Sequence, residues 1–198
     1  MALARRLAKI ALVVDRDHYD ELVLGAITKA RTQLWISTAN LKELWIEAPI
    51  GTVARARGRF QSILESLADL SKHGVEIRVL HASVPSGPFR AALARRKRIP
   101  RLAMRRCPRV HMKVIVVDGE VLYLGSANFT GAGLGAKGDG RRNFEMGVLT
   151  DDEVLLDQAQ ARFDRVWSGK ECAGCKLRRE CPAPIDLLVA SRRSAAAT

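Results

Sequence analysis

The sequence predicts an α/β domain with a mixed β-sheet flanked by helices, followed by a short cysteine-rich extension. Three observations carry this expectation. Segments of helical and strand period alternate through the first half of the chain, two apolar runs meet at Asp118-Gly119, and three of the four cysteines crowd between Cys172 and Cys181. A chain of 198 residues with 47% hydrophobic content is long enough to bury one core. One domain is expected over residues 1–168, with residues 169–198 forming a cysteine-rich extension and flexible tail.

Each element has its own local reason. Residues 1–14 carry Arg5, Arg6 and Lys9, but their apolar stretch ends at Asp15, too short for a secretory core or a spanning helix. A soluble, cytoplasmic protein without stable membrane association is therefore expected. Between residues 19 and 31, Leu22, Val23, Ala26, Ile27 and Ala30 recur at helical spacing, and residues 33–38 form a buried-strand pattern. Residues 43–58 mix proline, glycine and charge and predict a loop. Phe60, Ile63, Leu64, Leu67 and Leu70 then mark an amphipathic helix stopped by Gly74, and residues 75–82 alternate as a strand.

In the second half, residues 110–117 and 121–124 predict two strands joined by a tight hairpin at Asp118-Gly119. The glycine-rich residues 131–140 predict a flexible loop, lacking the setting and the Lys-Ser/Thr ending of a phosphate-binding P-loop. Residues 143–149 resume a strand. Asp151, Asp152 and Glu153 favour the first turn of a closing helix that ends near Trp167 and Gly169.

The excess of 33 Lys and Arg over 21 Asp and Glu gives a net charge of +12, which predicts attraction to nucleic acid or to acidic lipid surfaces without choosing between them. No acidic residue lies between Ile77 and Val117, whereas Arg95, Arg96, Lys97, Arg98, Arg101, Arg105 and Arg106 all fall there. A solvated loop is one reading of this block. The favoured one is an arm that pairs arginine forks with the phosphates of nucleic acid and leads into the catalytic segment.

That segment begins at His111. In an extended strand alternate side chains share a face, so His111 and Lys113 converge while Met112 and Val114 point the other way. An imidazole can attack phosphorus and carry it covalently, and a neighbouring ammonium neutralises the non-bridging oxygens as charge develops. A second strand ending in Gly125-Ser126-x-Asn128 would bring a hydroxyl and an amide to the same oxygens.

His111-x-Lys113, four residues, Asp118, six residues, then Gly125-Ser126-x-Asn128 resembles the signature of the phospholipase D superfamily, over roughly residues 17–167. The resemblance implies a phospholipase D-like domain in which His111 is the nucleophile, Lys113 and Asn128 hold phosphoryl oxygens and Ser126 supports them. It also implies that a downstream glutamate, Glu145, bonds the nucleophilic imidazole and sets its tautomer. Asp118 belongs to the candidate set, with shaping of the hairpin or local pairing expected ahead of proton transfer. Longer superfamily members carry two copies of the motif and this chain carries one, since His18, His73 and His81 lack a lysine two residues on. The second imidazole is therefore expected from a twofold-related subunit, in an obligate homodimer that needs no divalent metal for catalysis.

Cys172-x2-Cys175-x5-Cys181, with Cys107 four residues before His111, is expected to supply four thiolates to a structural zinc. The final spacing is not that of a paired zinc knuckle, and Pro182 follows the last cysteine, so a four-iron cluster is the alternative. Free thiols are a third reading. The functional expectation is a phosphodiesterase, an endonuclease acting on DNA or RNA through phosphohistidine. Its rivals are a phospholipid-processing enzyme of the same superfamily and a non-catalytic nucleic-acid-binding component. Trp35, Trp45 and Trp167 suggest base stacking, but two of them sit in apolar runs and are expected in the core.

Overall fold

A computed structural model describes residues 6–48, 50–96 and 99–188. In chain order its elements are β1 (Ala11–Val14), β2 (Gln33–Thr38), β3 (Trp45–Glu47), α1 (Val53–Ala56), β4 (Phe60–Ser62), α2 (Ile63–Lys72) and β5 (Glu76–His81). There follow α3 (Gly87–Ala94), β6 (Leu102–Arg106), β7 (Val114–Val117), β8 (Val121–Gly125), β9 (Met146–Thr150) and α4 (Glu153–Trp167). Among the described residues, seven strands make one mixed sheet in the order β1-β9-β8-β7-β2-β5-β6, and β3 with β4 makes a separate ribbon. The strands β2, β5 and β6 run parallel, whereas the β2–β7, β7–β8, β8–β9 and β9–β1 pairs are antiparallel.

The pleat sorts the core into two layers. Leu34, Ile36, Ile77, Val79, Ile115, Val117 and Tyr123 face the side covered by α2, α3 and the turns after β1, and belong to one large buried cluster. Val116 and Leu122 face the opposite side, where they pack on Leu156 of α4; Leu80 packs there on Phe163, Val166 and Trp167. The helix α2 holds because Ser62 Oγ accepts from Leu64 N at its start and because Ile63, Leu64 and Leu67 are buried, each worth about 1.5–3 kcal/mol of transfer free energy. For α4 the cap is Asp152, whose carboxylate accepts from Leu155 N at 2.9 Å.

Several expectations are corrected. Residues 19–31 are not one α-helix: His18–Leu24 is a π-helical segment and Ile27–Lys29 a 3₁₀ turn. The wider turn stacks residues four and five apart, which brings His18, Leu22 and Val23 inward together, and Ile27 is buried on the 3₁₀ turn that follows. The predicted loop over residues 43–58 contains β3 and α1, and Phe60 belongs to β4, so α2 begins only at Ile63. The basic block holds α3 and β6, and the N-terminal apolar stretch forms the edge strand β1. Val114 starts β7, leaving His111 and Lys113 on the extended segment before it. Trp35 and Trp167 pack beside Phe163 as core residues, whereas Trp45 is 56% exposed.

Candidate active site

The register pairs Thr38 with His81, Ser37 with Val114, Gly125 with Gly147 and Val14 with Met146. The ends of β1, β2, β5 and β8 and the starts of β7 and β9 therefore meet at one edge of the sheet. His111, Lys113, Ser126, Asn128 and Glu145 all stand along that edge.

Lys113 Nζ donates to the His111 carbonyl at 2.9 Å and lies 3.1 and 3.2 Å from the two ring nitrogens. Burial draws the Lys113 ammonium below the ordinary lysine range, against the upward pull of the Glu145 carboxylate. Asn128 is oriented from behind: its Oδ1 accepts from Asn40 N at 3.0 Å and lies 3.3 Å from Thr38 Oγ1, whose single proton is shared with the Asn40 carbonyl at 2.8 Å, and this turns the Asn128 NH2 the other way. The buried Thr38 Oγ1 also accepts from Phe129 N at 2.9 Å, so this hydroxyl ties the end of β2 to the turn that carries Asn128.

Ser126 Oγ donates to Glu145 and accepts from Met146 N at 3.1 Å, while Asn143 Nδ2 donates to the other Glu145 oxygen at 3.0 Å. The expected bond from Glu145 to the His111 ring is thus replaced, within one chain, by bonds to Ser126 and Asn143. The backbone of Glu145 is held by Asp15, whose N–H donates to Glu145 O and whose carboxylate accepts from Glu145 N, both at 2.9 Å. Beneath the edge lies Tyr123, and close packing on its ring explains two glycines. A Cβ on Gly125 would come within 2.2 Å of the Tyr123 hydroxyl oxygen, and one on Gly147 within 2.4 Å of the ring.

Asp118 does not join this group. It caps the opposite end of β7 at a positive φ of 57°, where its carboxylate accepts from the backbone N–H groups of Arg31, Thr32 and Gln33. Burial alone would raise its pKa, but these hydrogen bonds outweigh burial and hold the carboxyl below the ordinary aspartate range.

The basic block is also dispersed. Arg101 adjoins the start of β6, at the far end of the sheet, with its backbone N–H on Ser71 Oγ. Arg96 pairs with Glu65 at 3.1 Å, and Arg95 is an exposed residue at the end of α3. Arg105 donates to the Trp167 carbonyl with its guanidinium 4.2 Å from the indole centroid. Among the described residues of the block, Arg105 and Arg106, opposite Leu80 and His81, stand at the same end of the sheet as the candidate site, and Arg106 donates to Ala82 O at 3.0 Å. Lys97 and Arg98 lie outside the described residues. Sequence reasoning missed Thr38, Asn40, Asn143, Asp15 and Tyr123, because their roles arise from strand register rather than from spacing.

All four cysteines line one cavity of about 140 Å³ behind the catalytic segment, walled also by Val110, Met112 and Ile185. Burial raises the Cys107 thiol, and the hydrogen bond from Arg109 lowers that of Cys175. Among the described residues, no three or more His, Cys, Asp or Glu side chains are grouped so as to hold a metal ion.

A mixed sheet with a histidine-lysine pair and a Gly-Ser-x-Asn turn at one edge defines an α/β domain with an open, solvent-facing site. Residues 23–167 match the family described as the cardiolipin synthase, PLD-like domain. The chain belongs to the phospholipase D superfamily. By sequence, none of the curated proteins matches. Among solved structures, NucT from Helicobacter pylori is 17% identical with a TM-score of 0.57, covering 79% of this chain and 94% of that one. The phospholipase D family member Nuc from Salmonella typhimurium is 20% identical with a TM-score of 0.56, covering 82% and 95%. TrmBL2, an archaeal chromatin protein described as having a novel mode of DNA binding, is 11% identical with a TM-score of 0.50, covering 84% and 55%.

Proposed function

We propose that the protein is a phosphodiesterase that cleaves nucleic acid through a covalent phosphohistidine, in a site completed by a second copy of the chain. The observation that carries this reading is the contact of the Lys113 ammonium with the His111 ring, beside Ser126 and Asn128, at an edge open to solvent. A ring nitrogen of His111 attacks phosphorus and the bond to one ester oxygen breaks. That oxygen takes a proton from His111 of the partner subunit. Water then attacks the phosphohistidine, giving its proton to the partner's His111 as the P–N bond breaks. Lys113 and the Asn128 amide hold the non-bridging oxygens throughout, and with this charge stabilisation in place no divalent cation is needed.

The dimer is supported by an apolar surface beside the site. Leu12, Val14 and Met146 share the sheet face that α4 covers only farther along, and are 61%, 37% and 58% exposed. Phe144, next to Glu145, is 93% exposed. A twofold interface there would cover these groups and bring two His111 side chains together.

Nucleic acid is the favoured substrate because of the +12 charge and because Lys42, Lys137, Arg141 and Arg142 lie on the two loops that frame the 126–145 edge. No helix of the described residues is long and apolar enough to cross a membrane. The test is cleavage of labelled single- and double-stranded DNA and RNA in excess chelator, beside headgroup release from phospholipid vesicles. Cleavage with wild type, a loss of at least about a thousandfold in His111→Ala, and a dimeric mass in solution are expected. Cleavage that requires added magnesium, or that survives His111→Ala, would overturn the proposal.

A further inference from the structure

We infer that the four-cysteine cavity holds a [4Fe–4S] cluster, ligated by Cys107, Cys172, Cys175 and Cys181, in place of the zinc expected from the sequence. The fold delivers these thiols to one place from two distant parts of the chain. Cys107 follows β6, its N–H donating to His81 O at 2.9 Å and its carbonyl accepting from Val110 N at 2.9 Å. Cys172 and Cys175 lie on successive tight turns after α4, where Cys172 N donates to Gly169 O, Cys175 N to Cys172 O and Arg178 N to Cys175 O, and Cys181 follows the next turn, closed by Glu180 N on Leu177 O. Gly174, at a φ of 70°, supplies the left-handed residue between the first two.

Size decides between the metals. A single zinc requires four sulfurs about 2.3 Å from one point. The four cysteines instead line, among other residues, a cavity of about 140 Å³, and among the described residues no three His, Cys, Asp or Glu side chains are grouped so as to hold a single metal ion. A space of that order admits a group as large as a benzene ring. In a four-iron cube each thiolate binds a different iron, so the donors stand around the cluster. The walls suit this occupant: Val110, Met112 and Ile185 are apolar, and Arg106, Arg109, Arg162 and Arg178 outnumber the one lining carboxylate, Glu171. Each thiol loses its proton as its S–Fe bond forms. A dicationic cube and four neutral thiols thus give a dianionic site and four released protons.

The location gives the cluster a structural task. Met112 lines the cavity while His111 and Lys113, its chain neighbours, meet at the catalytic edge. Ligation through Cys107 would pin this segment to the C-terminal extension, whose other buried anchor is Ile185.

The assignment stands apart from the reaction and is tested without it. Full-length protein is purified anaerobically, reconstituted with ferrous iron and sulfide, and assayed for iron, acid-labile sulfide and zinc. About four irons and four sulfides per chain are expected, with visible absorption that bleaches on reduction with dithionite. The Cys175→Ser variant, at a turn on the surface, should lose more than half of both; full retention would overturn the proposal. So would one zinc per chain without sulfide, or an iron-free protein after reconstitution whose four thiols all react with a maleimide under native conditions.

Discussion

The Tyr123 hydroxyl lies 2.9 Å from His18 Nε2, directly beneath the catalytic edge. The Asp15 carbonyl, 3.1 Å from His18 Nδ1, can only accept, so Nδ1 carries the proton; in the neutral ring, which burial favours, Nε2 accepts from the phenol, whose oxygen accepts in turn from Ala127 N at 3.3 Å. The imidazole is neutral and both its nitrogens are satisfied. Burial pulls His18 below its ordinary pKa and pushes Tyr123 up to about 12. The pair ties β8 and the Ser126–Asn128 turn to the segment that carries Asp15.

Replacing Tyr123 by Phe leaves the His18 Nε2 and the Ala127 N–H without a buried partner. A loss of about 1–3 kcal/mol is expected, measured by denaturant unfolding. Activity should fall as well, because Ala127 lies between Ser126 and Asn128.

Acid sensitivity follows from the buried histidines. The folded-state pKa of His18 is lowered by burial, and that of His81 by burial with help from Arg106. Below the unfolded value of about 6.5, the unfolded chain therefore binds more protons than the folded one, and stability falls as pH drops through that value toward the folded pKa. The melting temperature should decline between about pH 7 and 5. His18→Gln should make that decline shallower, with His81 responsible for what remains; an unchanged slope would contradict the assignment.

Asp118→Asn tests the role of the opposite end of the hairpin. Asparagine tolerates the left-handed backbone at this position, so the substitution removes charge without adding strain. Stability should drop by roughly 2 kcal/mol at neutral pH, with modest effect on catalysis. Since the folded carboxyl is depressed, the wild-type advantage is present above the unfolded pKa of about 3.9 and is lost as pH falls through the lower folded value.

Thr38→Val keeps shape and removes the hydroxyl behind Asn128. The Asn40 carbonyl and the Phe129 N–H then lose their shared partner, the support of Asn128 Oδ1 weakens with them, and kcat should fall by about tenfold, corresponding to roughly 1.4 kcal/mol of transition-state stabilisation. Thr38→Ser, which keeps the donor, should recover most of it. If valine and serine behave alike, Thr38 is a packing residue only.

The α/β class and the main alternation of helices and strands were legible in this chain. His111, Lys113, Ser126 and Asn128 come from contiguous strand-turn segments, where spacing determines which side chains meet. Period and capping likewise located β2, β5, α2 and α4. Thr38 and Asp15 escaped notice because they meet the site only through the β2–β7 and β1–β9 pairings. The arginine block is continuous in sequence, but Arg101, just before β6, and Arg106, at its end, stand at opposite ends of one strand. The π-helical segment after Asp17 cannot be told from an α-helix by apolar spacing, since both repeats accommodate residues four apart.

Chemical trapping tests the central claim most directly. Wild-type protein is mixed with phosphorus-labelled nucleic acid in excess chelator, quenched in base, and the labelled peptide identified by mass spectrometry. A base-stable, acid-labile phosphoramidate on His111, at about one per dimer, is the expected result. Efficient cleavage with no label on His111 under conditions that preserve phosphoramidates, or a fully active monomer, would contradict the account.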